Sequence, residues 1–259
     1  MFFDKDLFFN TFAVGPNEAI SEVILYDEID STSSALMGLV SAGAAPGTVI
    51  ISAKQSGGRG RSGNTWHSAH EQNLYISYAI RICGDIANRL PLVPLAAGIA
   101  AFEALASEGI SDVLLKWPND LLLRDKKVGG ILCETPGIDD NQAMAVVGMG
   151  INIGIQEFPE ELSSIATYLQ PLRDERYFRE RFSATWIGAL YHWCQVIQSG
   201  SVAKLIARWK QCCEPFGRHV RVGAITGYTL DLNGAGRLLL KTDNGEVCEI
   251  PGGMVEHID

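Results

Sequence analysis

The sequence predicts an α+β fold, and three observations carry that prediction. Four short strand-like runs, Val113–Lys116, Leu121–Leu123, Val128–Glu134 and Ala143–Gly148, follow one another with tight turns between them. Two stretches have helical character: the mostly apolar Pro94–Ser107, and Asp174–Cys212 with Phe182, Trp186, Leu190 and Trp193 at three- and four-residue steps. From Pro215 onward, short strand-like runs are separated by Gly223, Asn233-Gly234 and Asn244-Gly245, which reads as a small β-barrel. A sheet carrying a few helices is the α+β pattern.

Taken in order, Val23–Tyr26 is a short apolar strand. Asp30-Ser31-Thr32-Ser33-Ser34 is an N-cap cluster ahead of Ala35, Leu36, Leu39 and Val40 at helical spacing. Thr48–Ala53 is a strand that delivers a glycine-rich loop. Asn73–Ile80 alternates Leu74, Ile76, Tyr78 and Ile80, which predicts a half-buried strand. Pro94–Ser107 is the central helix, and Pro215-Phe216-Gly217 breaks the later helical region before the barrel.

Composition narrows the function classes. The chain has 259 residues, 47% apolar and 20% charged, an ordinary globular balance that argues against disorder. Its formal net charge of −9 argues against DNA or an anionic membrane as the main partner. The six cysteines form no Cys-x-x-Cys pair, which reads as reduced thiols in a cytoplasmic protein. Met1–Asp6 places acids where a signal peptide needs basic residues. The longest uncharged apolar stretch, Leu90–Phe102, is too short to cross a bilayer and reads as a buried helix.

Against this acidic background, Gln55–Trp66 packs glycines, Arg59, Arg61 and Trp66 into one loop, with no acid from Lys54 to His70. A cationic, backbone-permissive loop suits a small anionic ligand. Gly58-Arg59-Gly60-Arg61-Ser62-Gly63 satisfies G-x-G-x-x-G, but a dinucleotide fingerprint must open into a helix, and here a strand follows. No P-loop pattern occurs. The plain alternative is a surface loop with incidental arginines.

Three further clusters weigh on that choice. In Lys116-Trp117-Pro118-Asn119-Asp120, the proline fixes a turn that leaves Asn119 and Asp120 at a strand mouth. Seven residues on, Lys127 precedes Gly129-Gly130, where a ligand or another backbone can approach a strand closely. Read as structure alone, Asp120 and Lys127 are solvated hairpin charges. In Gly148-Met149-Gly150-Ile151-Asn152, a polar amide sits among apolar residues and needs partners, either neighbouring backbone or a ligand.

Together these segments resemble the biotin protein ligases. The resemblance rests on Asp30-Ser31-Thr32, Gly58-Arg59-Gly60-Arg61 with Trp66, Asn73-Leu74-Tyr75 with Ser77, Lys116–Asp120, Lys127 with Gly129-Gly130, and Gly148–Asn152, in that order. It implies a mixed sheet with flanking helices, of the class II aminoacyl-tRNA synthetase-like kind, over residues 1–213, and an SH3-like barrel over residues 214–259. It implies that biotin and ATP form biotinyl-5′-AMP and that biotin then passes to a lysine of a biotin carboxyl carrier protein or domain. The catalytic residues so implied are Lys127, Arg59, Arg61 and Asp120. The biotin site would be Ser31, Thr32, Ser33, Gln55, Gly58, Arg59, Gly60, Arg61, Lys127 and Gly130. The ATP site would be Arg61, Trp66, Lys116, Asn119, Asp120, Lys127 and Asn152, with Mg²⁺ bridging the phosphates and its ligands unassigned. A homodimer is among the assembly states open to it.

The chain departs from the family at Ser62 and Asn64, where many members carry arginines, at Ser68-Ala69-His70-Glu71, and at Met254. About twenty residues precede the motifs, which implies a form without the DNA-binding domain of some members. The rival readings are a lipoate- or octanoate-type ligase, sharing fold and adenylation chemistry, and a non-catalytic biotin- or adenylate-binding regulator. The glycine–arginine loop and Lys116–Asp120 favour biotin.

Overall fold

The computed structural model describes residues 2–12, 19–68, 72–139, 141–170 and 175–258. The Ala69, His70 and Glu71 part of the departing turn, and Asp174, lie outside them. The elements run α1 (Lys5–Thr11), β1 (Glu22–Ile29), α2 (Thr32–Ser41), β2 (Thr48–Gln55), β3 (Leu74–Cys83), α3 (Ile86–Arg89) and α4 (Val93–Ser107). They continue with β4 (Val113–Lys116), β5 (Asp120–Leu123), β6 (Lys126–Glu134), β7 (Ile138–Asp139), β8 (Gln142–Ile151) and α5 (Glu160–Ser163). The last are α6 (Phe178–Gln198), α7 (Val202–Cys212), β9 (His219–Val222), β10 (Ile225–Leu232), β11 (Leu238–Thr242), β12 (Val247–Ile250) and β13 (Val255–His257).

The main sheet has the order β1-β2-β3-β8-β6-β5-β4, with β7 pairing to β8. β1 and β2 are parallel and the other neighbours antiparallel, so the sheet is mixed. Strand alternation sorts its two faces. Val49, Ile51, Leu74, Ile76, Tyr78, Val147, Met149 and Ile151 join α4, α6 and α7 in the large core. On the opposite face, α2 covers Ile50, Ala79 and Val146 with Leu36 and Val40. That second face also carries Ser77 opposite Gly148, under the N-terminus of α2, and Gly150 between Tyr75 and Gly130. Small residues there let the N-terminus of α2 and the glycine loop lie close against the sheet, with Ser33 over Gly148 and Trp66 over Gly150.

Burial revises the reading of β3. It is covered on both faces, with Tyr75, Ser77 and Ala79 as buried as the alternating apolar set, because α2 and the glycine loop roof the second face. The helical region splits at Ser199-Gly200-Ser201, where Gly200 turns to φ 79° and ends α6 before α7 begins. The helical run Ile86–Ser107 extends past the uncharged stretch to 22 residues, which matches a bilayer in length. Ten residues of α4 are buried around its circumference, so it is the central core helix.

The C-terminal sheet has the order β12-β11-β10-β9-β13, a small five-stranded unit of SH3-like kind. Asn233-Gly234 does not form a two-residue hairpin turn. The Asn233 side chain accepts from the N–H groups of Ala235 and Arg237, and the left-handed residue is Gly236 at φ 75°. This loop docks on the first unit, where the Trp117 indole N–H donates to the Gly236 carbonyl at 2.9 Å. Val220, Leu232, Leu238 and Leu240 belong to the same continuous core as α4.

Candidate active site

The N-terminus of α2 supplies a nest of hydroxyls. Ser31 caps the helix by accepting from the Ser34 N–H at 3.3 Å. The Thr32 backbone N–H and hydroxyl both donate to Gln55 Oε1, at 2.9 and 3.2 Å. Ser77 on β3 donates to the Thr32 hydroxyl at 2.9 Å and lies 3.1 Å from the Ser33 hydroxyl. The Gln55 amide N–H₂ donates to Ser68 at 3.3 Å. These hydroxyls are almost fully buried and satisfy one another, which favours such a cluster over isolated polar groups. A Cβ on Gly148 would collide with the Ser33 hydroxyl, so the glycine sets how deep the nest can sit.

The cationic loop lies folded over the sheet as a narrow ribbon. Trp66 N–H bonds the Gly58 carbonyl at 2.9 Å, Gly60 N–H bonds the Asn64 carbonyl at 2.7 Å, and Arg59 bridges Thr65. Ser62 makes the tip with φ 55°, and Asn64 closes the turn through its N–H to the Arg61 carbonyl. Both departures from the family pattern thus sit at the turn. The Trp66 ring rests on Gly150, where a Cβ would stand 2.6 Å from the indole. The Trp66 indole N–H is buried without a hydrogen-bond partner among the described residues.

The two loop arginines diverge. Arg59 donates to the Ser34 hydroxyl at 3.1 Å and to the Glu134 carboxylate on β6. Arg61 donates to the Asn119 side-chain oxygen at 3.0 Å and to the Gly253 carbonyl of the barrel at 3.5 Å. Asn119 is itself held by its N–H₂ to the Ile131 carbonyl at 2.7 Å.

The β4–β5–β6 meander supplies the remaining charges. The Trp117-Pro118 bond is cis, and Asp120 faces Lys116 across β4 and β5. Lys127 reaches Asp120 at 2.7 Å, and its ammonium lies 5.6 Å from the Trp66 ring centre, within cation–π range. A shift in register at Leu121/Leu122 lets these side chains meet. Burial lowers the Lys116 pKa, and the nearby Glu214 and Asp120 carboxylates oppose that shift. Asn152 N–H₂ donates to the Thr167 carbonyl at 2.9 Å, while Lys127 exchanges backbone hydrogen bonds with Ile165 and Thr167. The amide therefore pins the 165–169 segment beside Lys127.

Past Arg61 a cavity of about 250 Å³ opens between the first unit and the barrel, bordered by Arg61, Trp117, Asn119, Cys133, Gly236 and Gly252. Burial pushes the Cys133 thiol up to about 12, which leaves it inert at neutral pH. All six cysteines are free.

Of the residues singled out from the sequence, Thr32, Ser33 and Gln55 share one nest, and Ser31 caps the helix that presents it. Trp66, Asp120, Lys127, Gly130 and Gly150 share the adjacent floor. Arg61 and Asn119 form the far wall. Gly58 and Gly60 shape the ribbon, Lys116 lies behind Asp120, and Asn152 works through its neighbour segment. The site contacts of Ser34, Ser68, Glu134 and Gly253 escaped the sequence reading, which met the first three only in an N-cap cluster, a departing turn and a strand. Each is an ordinary polar or small residue whose significance comes from a partner distant in the chain.

The family model for the biotin/lipoate A/B protein ligase family matches residues 25–152. The bifunctional ligase/repressor BirA of Escherichia coli is 30% identical over 219 residues, covering 83% of this chain and 68% of that protein. The biotin–[acetyl-CoA-carboxylase] ligase of Mycobacterium tuberculosis is 28% identical over 255 residues, covering 95% and 92%. Among solved structures, the biotin protein ligase of Aquifex aeolicus in complex with biotin and ATP superposes with a TM-score of 0.75 at 27% identity, covering 92% of this chain and 98% of that one.

Proposed function

Because the chain belongs to the biotin/lipoate A/B protein ligase family, we infer that it is a biotin protein ligase, an ATP-dependent, AMP-forming enzyme. The observation that carries this reading is the convergence in one cleft of the Thr32–Gln55–Ser77 nest, the Lys127–Asp120 pair and the Trp66-capped glycine floor. In the first step a biotin carboxylate oxygen attacks the α-phosphorus of ATP, the bond to the β-phosphate oxygen breaks, and pyrophosphate leaves. In the second, the acceptor lysine amine attacks the acyl carbon, an amide forms, and AMP departs as the amine loses a proton.

The first step joins two anions, so cations must oppose their repulsion and stabilise the charge that shifts in the transition state. We assign this to Lys127, helped by Arg61, whose partners are neutral and leave its charge uncompensated. Ser31, Thr32, Ser33 and Gln55 would read the polar ring of biotin with Gly58, Gly60 and Gly130 shaping the site. Trp66, Lys116, Asn119 and Asn152 would border the nucleotide. Asp120, beside Lys127, is the group positioned to receive the acceptor ammonium. Among the described residues no cluster of three metal-binding side chains exists. One carboxylate fits Mg²⁺ carried by ATP, since Mg²⁺ commonly takes one or two carboxylates beside phosphates. Asp120 would hold that ion, which would supply neutralising charge.

We place the boundary of the catalytic unit at Cys213, the C-cap of α7, after which the Glu214 N–H bonds the Leu115 carbonyl. The acceptor is a biotin carboxyl carrier domain and the compartment the cytoplasm. Incubation with ATP, biotin and such a domain tests the reading: the acceptor lysine gains the mass of one biotinyl group. Binding of biotin without that transfer would support a non-catalytic regulator instead.

A further inference from the structure

We propose that Arg59 is the latch of the cationic loop and that Glu134 on β6, with Ser34 on α2, is its catch; this rests on the ligase reading above. Three cations of the cleft, Arg59, Arg61 and Lys127, are matched differently. Arg61 has neutral partners, and Lys127 has Asp120 inside the cleft. Arg59 alone among the three is paired to a carboxylate outside the proposed catalytic set. An arginine whose charge is already met by a fixed carboxylate cannot neutralise an incoming anion without breaking that pair.

The geometry suits a fastener. One guanidinium nitrogen reaches Ser34 and the other reaches Glu134, so a single side chain ties the loop to both elements that border it. Because Arg59 also bridges Thr65, a hold on its side chain holds the whole ribbon, including Trp66 on its glycine floor. Glu134 is only 25% exposed at its side chain, and its second oxygen, Oε2, is buried with no hydrogen-bond partner among the described residues. A buried carboxylate oxygen left unpaired is costly, and a forked guanidinium is the group that satisfies both oxygens at once. Oε2 is thus the acceptor for a second Arg59 N–H as the loop tightens over ligand. Retention of the acyl-adenylate, which water would otherwise hydrolyse, depends on that closure.

Glu134→Gln keeps the shape and removes the charge, and Glu134→Ala removes both. Each should speed release of biotinyl-AMP about fivefold, the scale of a partly screened charge-assisted pair. Single-turnover formation of the adenylate should stay within twofold of the parent. Glu134→Asp should recover part of the retention, and adding Glu134→Ala to Arg59→Ala should cost nothing further. Trypsin cleavage after Arg59 and Arg61 in the ligand-free protein should also quicken in Glu134→Gln. Parent-like retention and parent-like trypsin resistance in both Glu134 variants would overturn the latch, as would slowed adenylate formation with unchanged release. Failure of the parent to form biotinyl-AMP would instead remove the ligase reading, while the trypsin comparison still decides the latch.

Discussion

Lys127 carries the chemical argument at the scale of single residues. Its ammonium sits between the Asp120 carboxylate and the Trp66 ring, on the rim of the glycine floor. A charge held there matters most when negative charge builds between carboxylate and phosphate, so its removal should slow chemistry more than binding. Lys127→Ala should lower the rate of adenylate formation about a hundredfold or more, the scale of one lost electrostatic stabiliser. Single-turnover kinetics with saturating biotin and ATP would check this. A different residue bears on the pH dependence of stability. Glu180 on α6 is buried, and burial raises its pKa, although the Asp4 backbone N–H hydrogen-bonded to it at 2.8 Å and the neighbouring Arg179 pull the other way. With the folded pKa above the unfolded one, the native state binds the proton more tightly. The carboxyl therefore costs least below its unfolded pKa, and stability falls as pH rises toward the folded value. Glu180→Gln should be more stable than the parent at pH 7, and the gap should narrow as pH drops through the carboxylate range in urea titrations.

At the scale of elements, the site depends on a sheet face that is half helix-covered and half glycine. Gly150 lets the Trp66 ring lie against β8, and a methyl there would stand 2.6 Å from the indole. Gly150→Ala should lift Trp66 and unseat the loop while leaving β8 paired. The measurable outcome is a raised KM for biotin and ATP with an unchanged circular dichroism spectrum. The strands and the glycine motifs were legible because alternation and turn residues are local signals. α1 was not, since seven residues around Phe8 form a helix only by packing against α6, with Asp4 as cap. Asn233 misled for a related reason. Asn-Gly marks a turn, but the side-chain bonds of Asn233 selected a longer loop whose Gly236 meets Trp117. The separate destinations of Arg59 and Arg61 were equally hidden, because Glu134 and Gly253 lie far along the chain.

Across the whole molecule, the barrel and the larger unit share one core and one set of polar ties. Trp117 bonds Gly236, Lys210 pairs with Asp231 at 2.7 Å, and the Glu214 N–H donates to the Leu115 carbonyl at 2.9 Å. Such continuity predicts a single cooperative unfolding transition. Trp117→Phe, which strands the Gly236 carbonyl, should lower its stability by about 1–2 kcal/mol without splitting it. Calorimetry would show one shifted peak. Because Arg61 touches both the loop's neighbour Asn119 and the barrel's Gly253, the loop is tied to both units. All of this serves one central claim, that the cleft activates biotin with ATP. The most direct measurement is exchange of radiolabelled pyrophosphate into ATP, run separately with biotin, lipoate and octanoate. Biotin should stimulate exchange strongly and the other two acids little. Exchange driven by lipoate or octanoate and not by biotin would contradict the account.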